Sequence, residues 1–275
     1  MNDQFDVVAF GEILWDVVDG VPHLGGAPFN FAAHASRCGL KSAIVSAVGD
    51  DELGRRALDA ASRFGVDRSG VSVRPNLSTG MVNVTLADGI PSYEIVRPVA
   101  WDEITEGSPF SATAAFYFGT LAQRSPVSAA TLERMLGAYG SALVFFDVNL
   151  RQDFWSVKIV ENGLAHTDIL KVNDEEMRRL GFAPERLFAR FPRLKTVVET
   201  RGAAGCRVTS RTGEVFDSPA IADGPVVDTI GAGDSFSAAF LAAVLRGESL
   251  AAAAEAGNRL AGKVAARAGA IPDDL

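Results

Sequence analysis

The segment Asp228-Thr229-Ile230-Gly231-Ala232-Gly233-Asp234-Ser235-Phe236 has residue types and spacing suited to handling a phosphoryl group. Its two glycines let backbone approach a ligand closely. The alanine-rich run behind them, residues 234–245, has strong helix propensity. N–H groups at a helix N-terminus lack partners and carry positive partial charge, so Gly231, Ala232 and Gly233 are expected to form an anion hole. Asp234 would stand at its mouth. A carboxylate there can take the proton of a hydroxyl as that oxygen attacks phosphorus. Fixed donors would stabilise the charge that builds on the transferring group. Asp is also a favoured N-cap, so a purely capping reading of Asp234 stays open. The segment is not a Walker loop, for the glycine spacing differs and no Gly-Lys-Ser/Thr follows.

Other polar positions are plainer when read alone. Asn173-Asp174-Glu175-Glu176 suits a capping Asn before an acidic first helical turn, which complements the helix dipole. Thr200-Arg201-Gly202-Ala203-Ala204-Gly205 reads as a hairpin loop, Asp16 as a polar residue at a strand end, and Arg97 as a surface arginine. Cys38 and Cys206 make no disulfide framework or zinc site, and His23, His34 and His166 are too scattered for metal-ligand spacing.

These residues need a scaffold, and the apolar pattern predicts one. Short runs rich in β-branched and aromatic residues recur at 7–11, 43–48, 115–119, 143–148, 169–172 and 196–200. Helix-like stretches fall between many of them, among them 52–64, 129–138 and 175–180. Strand alternating with helix implies βαβ units and a mostly parallel sheet, and strands apolar throughout imply helices on both faces. One region differs. Residues 81–86 and 92–96 flank the turn pair Asp88-Gly89 without a helix between, which predicts an antiparallel hairpin, and residues 13–18 are a candidate strand of the same small sheet. The last third, 234–245 and 250–268, is expected to be helical. No internal repeat or long linker is present.

Composition narrows the partners. With 48% apolar and 22% charged residues, the 275-residue chain can bury a large core. A net charge of −8 gives no electrostatic footprint for nucleic acid or an anionic membrane. The N-terminus does not read as a signal peptide, no apolar run reaches membrane-spanning length, and the cytoplasm is the expected location.

Residues 228–236 resemble the C-terminal signature Asp-Thr-x-Gly-Ala-Gly-Asp-x-Phe of the ribokinase-like carbohydrate kinases, also called the phosphofructokinase B type, at every fixed position. Gly25-Gly26-Ala27-Pro28-Phe29-Asn30-Phe31-Ala32 resembles that family's N-terminal signature, about two hundred residues earlier. The likeness runs from Gly11-Glu12 to Gly269-Ala270.

The resemblance implies a three-layer α/β fold: one kinase domain over residues 1–275, with a β lid formed by about 12–24 and 72–100. It implies ATP and Mg²⁺, with Asp234 as base. Sugar hydroxyls would fall to Asp16, Gly25, Gly26 and Asn30, with Arg97 and Arg151 in reach of the substrate. Asn173 and Glu176 would position phosphate, Mg²⁺ and water, Glu176 acting on the metal through water. Thr200, Gly202 and Gly205 would contact ATP phosphates, and Asn258 would lie beside the adenine. Asp228 and Ile230 fall where several relatives bind a monovalent cation such as K⁺.

Ala27-Pro28, in place of the Lys usual in ribokinases, resembles fructokinase-like members. Phe146-Asp147-Val148-Asn149-Leu150-Arg151 is similar to the Asp-Pro-Asn-x-Arg string of fructokinases and ketodeoxygluconate kinases, with Val148 for Pro. The expected activity is therefore ATP-dependent phosphorylation of a primary hydroxyl of a small sugar, D-fructose first. The alternatives are a 2-keto-3-deoxygluconate kinase, a nucleoside kinase and a non-catalytic sugar-binding regulator. Family lids often pair, so a homodimer joined through the lids is expected.

Overall fold

Strands alternating with helices settle into a single large sheet in the computed structural model, which describes residues 4–87, 90–105, 110 and 112–275. In chain order the strands are β1 Phe5–Phe10, β2 Leu14–Val18, β3 Val21–Gly25, β4 Ser42–Gly49, β5 Asp67–Arg74, β6 Gly80–Ala87, β7 Ile90–Ile95, β8 Thr113–Phe118, β9 Leu143–Asp147, β10 Ile169–Asn173, β11 Thr196–Thr200, β12 Cys206–Ser210 and β13 Val215–Ser218. The helices are α1 Ala27–Arg37, α2 Glu52–Arg63, α3 Pro126–Ala138, α4 Val157–Ala165, α5 Asp174–Leu180, α6 Pro184–Arg190, α7 Ala232–Leu245 and α8 Leu250–Ala265.

The large sheet runs β13-β12-β11-β10-β9-β8-β1-β4-β5. Its pairs from β11 to β5 are parallel, and β12 and β13 close one edge antiparallel. Alternate residues of each strand enter opposite cores, because strand side chains alternate. Val8, Phe10, Phe116, Phe118, Val144 and Phe146 pack with residues of α3, α4, α5 and α6. Val7, Ala9, Ala115, Tyr117 and Phe145 pack with residues of α1, α2, α7 and α8. Two covered faces explain why the central strands read as unbroken apolar runs.

The expected small sheet is present, in the order β3-β2-β6-β7. β6 and β7 pair antiparallel as the hairpin pattern predicts, while β2 and β6 are parallel. The Asp88-Gly89 turn lies outside the described residues. Residues 72–74 belong to β5 and hence to the large sheet, so the small one takes its strands from Leu14–Val18, Val21–Gly25, Gly80–Ala87 and Ile90–Ile95. Among the described residues, no helix is long and apolar enough to cross a membrane.

Chain order reverses around β1, which pairs with β4 on one side and β8 on the other. In open α/β sheets, ligands bind beyond the carboxyl ends of the strands at such a switch point. At that end β10 finishes on Asn173, and the segments leaving β1, β9 and β11 carry Glu12, Arg151 and Arg201.

Candidate active site

The cleft begins where β1 ends. Gly11-Glu12 leads into β2, and Asp16 faces back toward the diglycine turn: a Cβ on Gly25 would lie 2.8 Å from its Oδ2. Gly26, the N-cap of α1, has φ 104, and a Cβ there would meet the Glu12 carbonyl oxygen at 2.5 Å. Only glycine fits that turn without strain. The Glu12 side chain is buried, and burial pushes its carboxyl up to about 7 even though backbone N–H groups and the Arg151 charge oppose the rise. Burial likewise raises Asp16, against the pull of Arg151 and His23.

Opposite stands the first turn of α7. Its N-cap is Gly231 at φ 76, with no side-chain capping bond. Asp234 is the third residue of the helix and caps nothing, which removes the capping reading. Its Oδ2 accepts from Asn30 Nδ2 of α1 at 2.9 Å. Burial holds the Asp234 carboxyl up at about 6; Asp147 adds to the rise, and Lys171, Asn30 and Arg151 oppose it. The expected anion hole is partly redrawn. The Ala232 N–H turns inward to the Thr229 carbonyl at 3.3 Å, whereas those of Gly231, Gly233 and Asp234 meet no acceptor among the described residues. Asn30 Oδ1 is also buried without a partner. An unpaired buried acceptor is costly unless something else comes to it.

Under this turn lies a pair the sequence reading passed over. Lys171 of β10 and Asp147 of β9 are register partners in the parallel ladder. Both are buried, and Lys171 Nζ reaches the two Asp147 oxygens at 2.9 and 3.1 Å. Tyr117 OH and Ser237 Oγ each donate to Asp147 Oδ2 at 3.2 Å. A lysine inside the run Ile169-Leu170-Lys171-Val172, on a strand covered on both faces, was the available signal, because a buried cation needs a partner.

The remaining expected residues divide. Asn173 and Glu176 form a capping box on α5. Asn173 Oδ1 accepts from the Glu176 N–H at 2.7 Å, and Glu176 Oε2 accepts from the Asn173 N–H at 2.9 Å. Glu176 Oε1 accepts from the Leu150 N–H at 2.7 Å, so this carboxylate also ties α5 to the segment bearing Arg151. Thr200, Gly202 and Gly205 lie around the tight turn between β11 and β12, which is indeed an antiparallel hairpin. The Asn258 amide on α8 is spent on the chain after β13, donating to Ser218 Oγ at 2.9 Å, Pro219 O at 3.0 Å and Ser218 O at 3.1 Å. It fixes that loop rather than presenting its N–H groups to the cleft. Asp228 accepts from Ile230 N at 2.9 Å and Gly269 N at 3.1 Å. Arg97 is exposed with its guanidinium 5.4 Å from the Phe154 ring centroid, and no described contact joins it to Asp16, Asn30 or Asp234. Among the described residues, no three His, Cys, Asp or Glu side chains cluster as a direct metal site.

The switch-point cleft, with a small sheet beside it, belongs to a ribokinase-like α/β fold. The chain belongs to the pfkB family of carbohydrate kinases, whose family model matches residues 2–275. It is similar to PH1459 of Pyrococcus horikoshii, described as an uncharacterized sugar kinase, 31% identical over an alignment of 275 positions that covers 90% of this chain and 85% of that one. It is 28% identical to fructokinase-2 of Solanum lycopersicum over 269 residues, 87% of this chain and 81% of that one. The crystal structure of PH1459 in complex with ATP superposes with a TM-score of 0.83 at 27% identity, covering 96% and 94% of the two chains.

Proposed function

We propose that this protein transfers the γ-phosphoryl group of ATP to a primary hydroxyl of a small sugar, D-fructose first among candidates. One observation carries the reading: the Asp234 carboxylate shares the start of α7 with unpaired N–H groups, and Asn30 links it to the Asp16 and diglycine side of the cleft. Asp16, Gly25, Gly26 and Asn30 hold sugar hydroxyls; a carboxylate accepts from two at once. Asp234 takes the hydroxyl proton as the sugar oxygen bonds to the γ-phosphorus. The bond from that phosphorus to the β,γ-bridging oxygen breaks, ADP leaves with the electron pair, and the proton passes from Asp234 to solvent. Gly231, Gly233 and Asp234 N–H groups face the charge on the transferring oxygens.

The donor set suits Mg²⁺ carried mainly on the ATP phosphates, since both Glu176 oxygens already accept backbone N–H groups and would reach it through water. When bound, the metal neutralises charge on the phosphates. A monovalent cation at Asp228 and Ile230 would rely on carbonyl oxygens of that turn, for both Asp228 oxygens are engaged. ATP would lie along the β11–β12 turn and the loop that Asn258 fixes. The small sheet serves as the lid, whose closure keeps water from the phosphoryl group.

A sugar acid is the second reading. Arg151 stands close enough to influence Glu12, Asp16 and Asp234, and a guanidinium there suits a substrate carboxylate. ATP turnover against free sugars, sugar acids and nucleosides separates the two. Fructose should give the highest kcat/KM. A preference of tenfold or more for 2-keto-3-deoxygluconate, about 1.4 kcal/mol in the transition state, would transfer the assignment to the sugar acid, and no turnover of any of them would remove the kinase reading.

A further inference from the structure

We propose that Lys171, clamped by Asp147, is a positioning residue for phosphoryl transfer: its ammonium braces the Gly231–Asp234 turn from below and supplies the buried positive charge that balances the Asp234 carboxylate. The inference rests on the kinase reading above.

The geometry is specific. Strand parity sends Tyr117, Asp147 and Lys171 to the same face of the large sheet as α7, on three adjacent strands. Asp147 is saturated on that face by Lys171 Nζ, Tyr117 OH and Ser237 Oγ, so it cannot swing away. Ser237 lies one turn along α7 from Gly233, and its single hydroxyl hydrogen is shared between Asp147 Oδ2 and the Gly233 carbonyl, 3.0 Å away. Lys171 Nζ is thereby held under Gly233; a Cβ added there would stop 3.0 Å from it. Three Lys171 hydrogens face two Asp147 oxygens, which leaves donor capacity pointing at the turn.

Asp234 meets charge from every element packed around it. Asp147 comes from β9 and Lys171 from β10, with Arg151 on the segment after β9, Glu12 after β1, Tyr117 on β8 and the neutral Asn30 on α1. Two carboxylates in this set are opposed by two cations. Arg151 is exposed and screened, while Lys171 is buried and is not. Burial alone would discharge Lys171, yet Asp147, Glu176 and Asp234 outweigh it and raise its pKa, so the cation is permanent at working pH. Burial of an ion pair brings little net stability. A lysine in this position is therefore poorly explained by folding alone.

The test is the acid limb of kcat/KM with the parent's best sugar. Lys171→Met removes the cation at similar volume, so the limb should move up by about one unit or more, with a loss of at least about fivefold at pH 6 that shrinks as pH rises. Asp147→Asn removes the anion whose charge raises Asp234 and leaves Lys171 in place, so the limb should move down. Lys171→Arg should restore much of the parent profile. Shifts of opposite sign are not expected from a structural pair, whose loss would lower the amount of folded enzyme at every pH without moving the limb. Should Lys171→Met fail to fold, Asp147→Asn and the double variant Lys171→Met/Asp147→Asn, which leaves no unpaired charge, carry the same comparison; the double variant should then place its limb above that of Asp147→Asn. An active parent whose limb stays put in the variants overturns the role of Lys171 and leaves the kinase reading intact. A parent inactive on every sugar overturns both.

Discussion

Asp234→Asn isolates one oxygen's basicity. Asn keeps the shape and can still accept from Asn30 Nδ2, so the turn should persist. If Asp234 removes the proton, kcat should fall by roughly 10² to 10⁴, with sugar and ATP affinities changed little; a kcat within about fivefold of the parent would sink the mechanism. The pH profile gives a second check. The carboxyl sits up at about 6 because burial opposes its charge, and only the ionised form is a base, so kcat/KM should fall as pH drops below that value. The stability sign is opposite to that of a salt-bridged Asp. Between 3.8 and about 6 the folded state holds the proton that the unfolded state has released, so Asp234 makes stability fall as pH rises through that window. Asp234→Asn should therefore be no less stable than the parent at pH 7, and more stable by on the order of 1–3 kcal/mol in denaturant titration. A large loss would mean that the carboxylate is structural. The local Gly-Ala-Gly-Asp string left base and cap open for Asp234; the resemblance to the family signature singled out the base, and the fold places the cap at Gly231 instead. Lys171 was visible only as a cation inside an apolar strand, because its partner depends on which strands become neighbours and on which face each side chain enters.

At the scale of elements, the buried parallel strands were readable because apolar runs of that length, bounded by turns, have few other uses. β5 escaped notice. Asp67-Arg68-Ser69-Gly70-Val71-Ser72-Val73-Arg74 is an edge strand of mixed polarity, placed by pairing with β4 rather than by its own pattern. β3 and β13 are edge strands too. The start of α7 shifted from Asp234 to Ala232 for a similar reason: its cap is a backbone turn made by Gly231, not a side chain. Gly231→Ala tests how much that turn matters. Its φ of 76 disfavours any side chain, and the new Cβ would lie 2.5 Å from the Ala270 carbonyl oxygen. A left-handed non-glycine residue costs about 1–3 kcal/mol, and the clash adds to it. The denaturant midpoint should fall, and kcat should fall further than the folded fraction accounts for, because the free N–H groups turn with the backbone. Loss of stability with an unchanged kcat per folded molecule would separate the turn from the chemistry.

For the whole molecule, the open question is what meets the outer part of the small sheet. Asp16 pairs with His23 and with Val82, which pairs with Ile95; that row borders the cleft. Two residues outward, Val18 pairs with Val21 and with Val84, which pairs with Tyr93. The two ends of this second row are open, Val21 at 54% and Tyr93 at 55% exposure. Apolar surface continuous with a ligand site is better covered than wet, and a second copy of the same sheet offers a matching surface through a two-fold axis. The protein should therefore be a dimer joined through the small sheets, with twice the chain mass in light scattering at micromolar concentration. Val21→Asp would bury two charges at such an interface, one from each copy, and should shift the population to monomer, since an unpaired charge is costly to bury. A parent that scatters as a monomer would remove the dimer. A parent dimer indifferent to Val21→Asp and to Tyr93→Glu would place the interface elsewhere, and the small sheet would then have to cover the cleft without help from a partner.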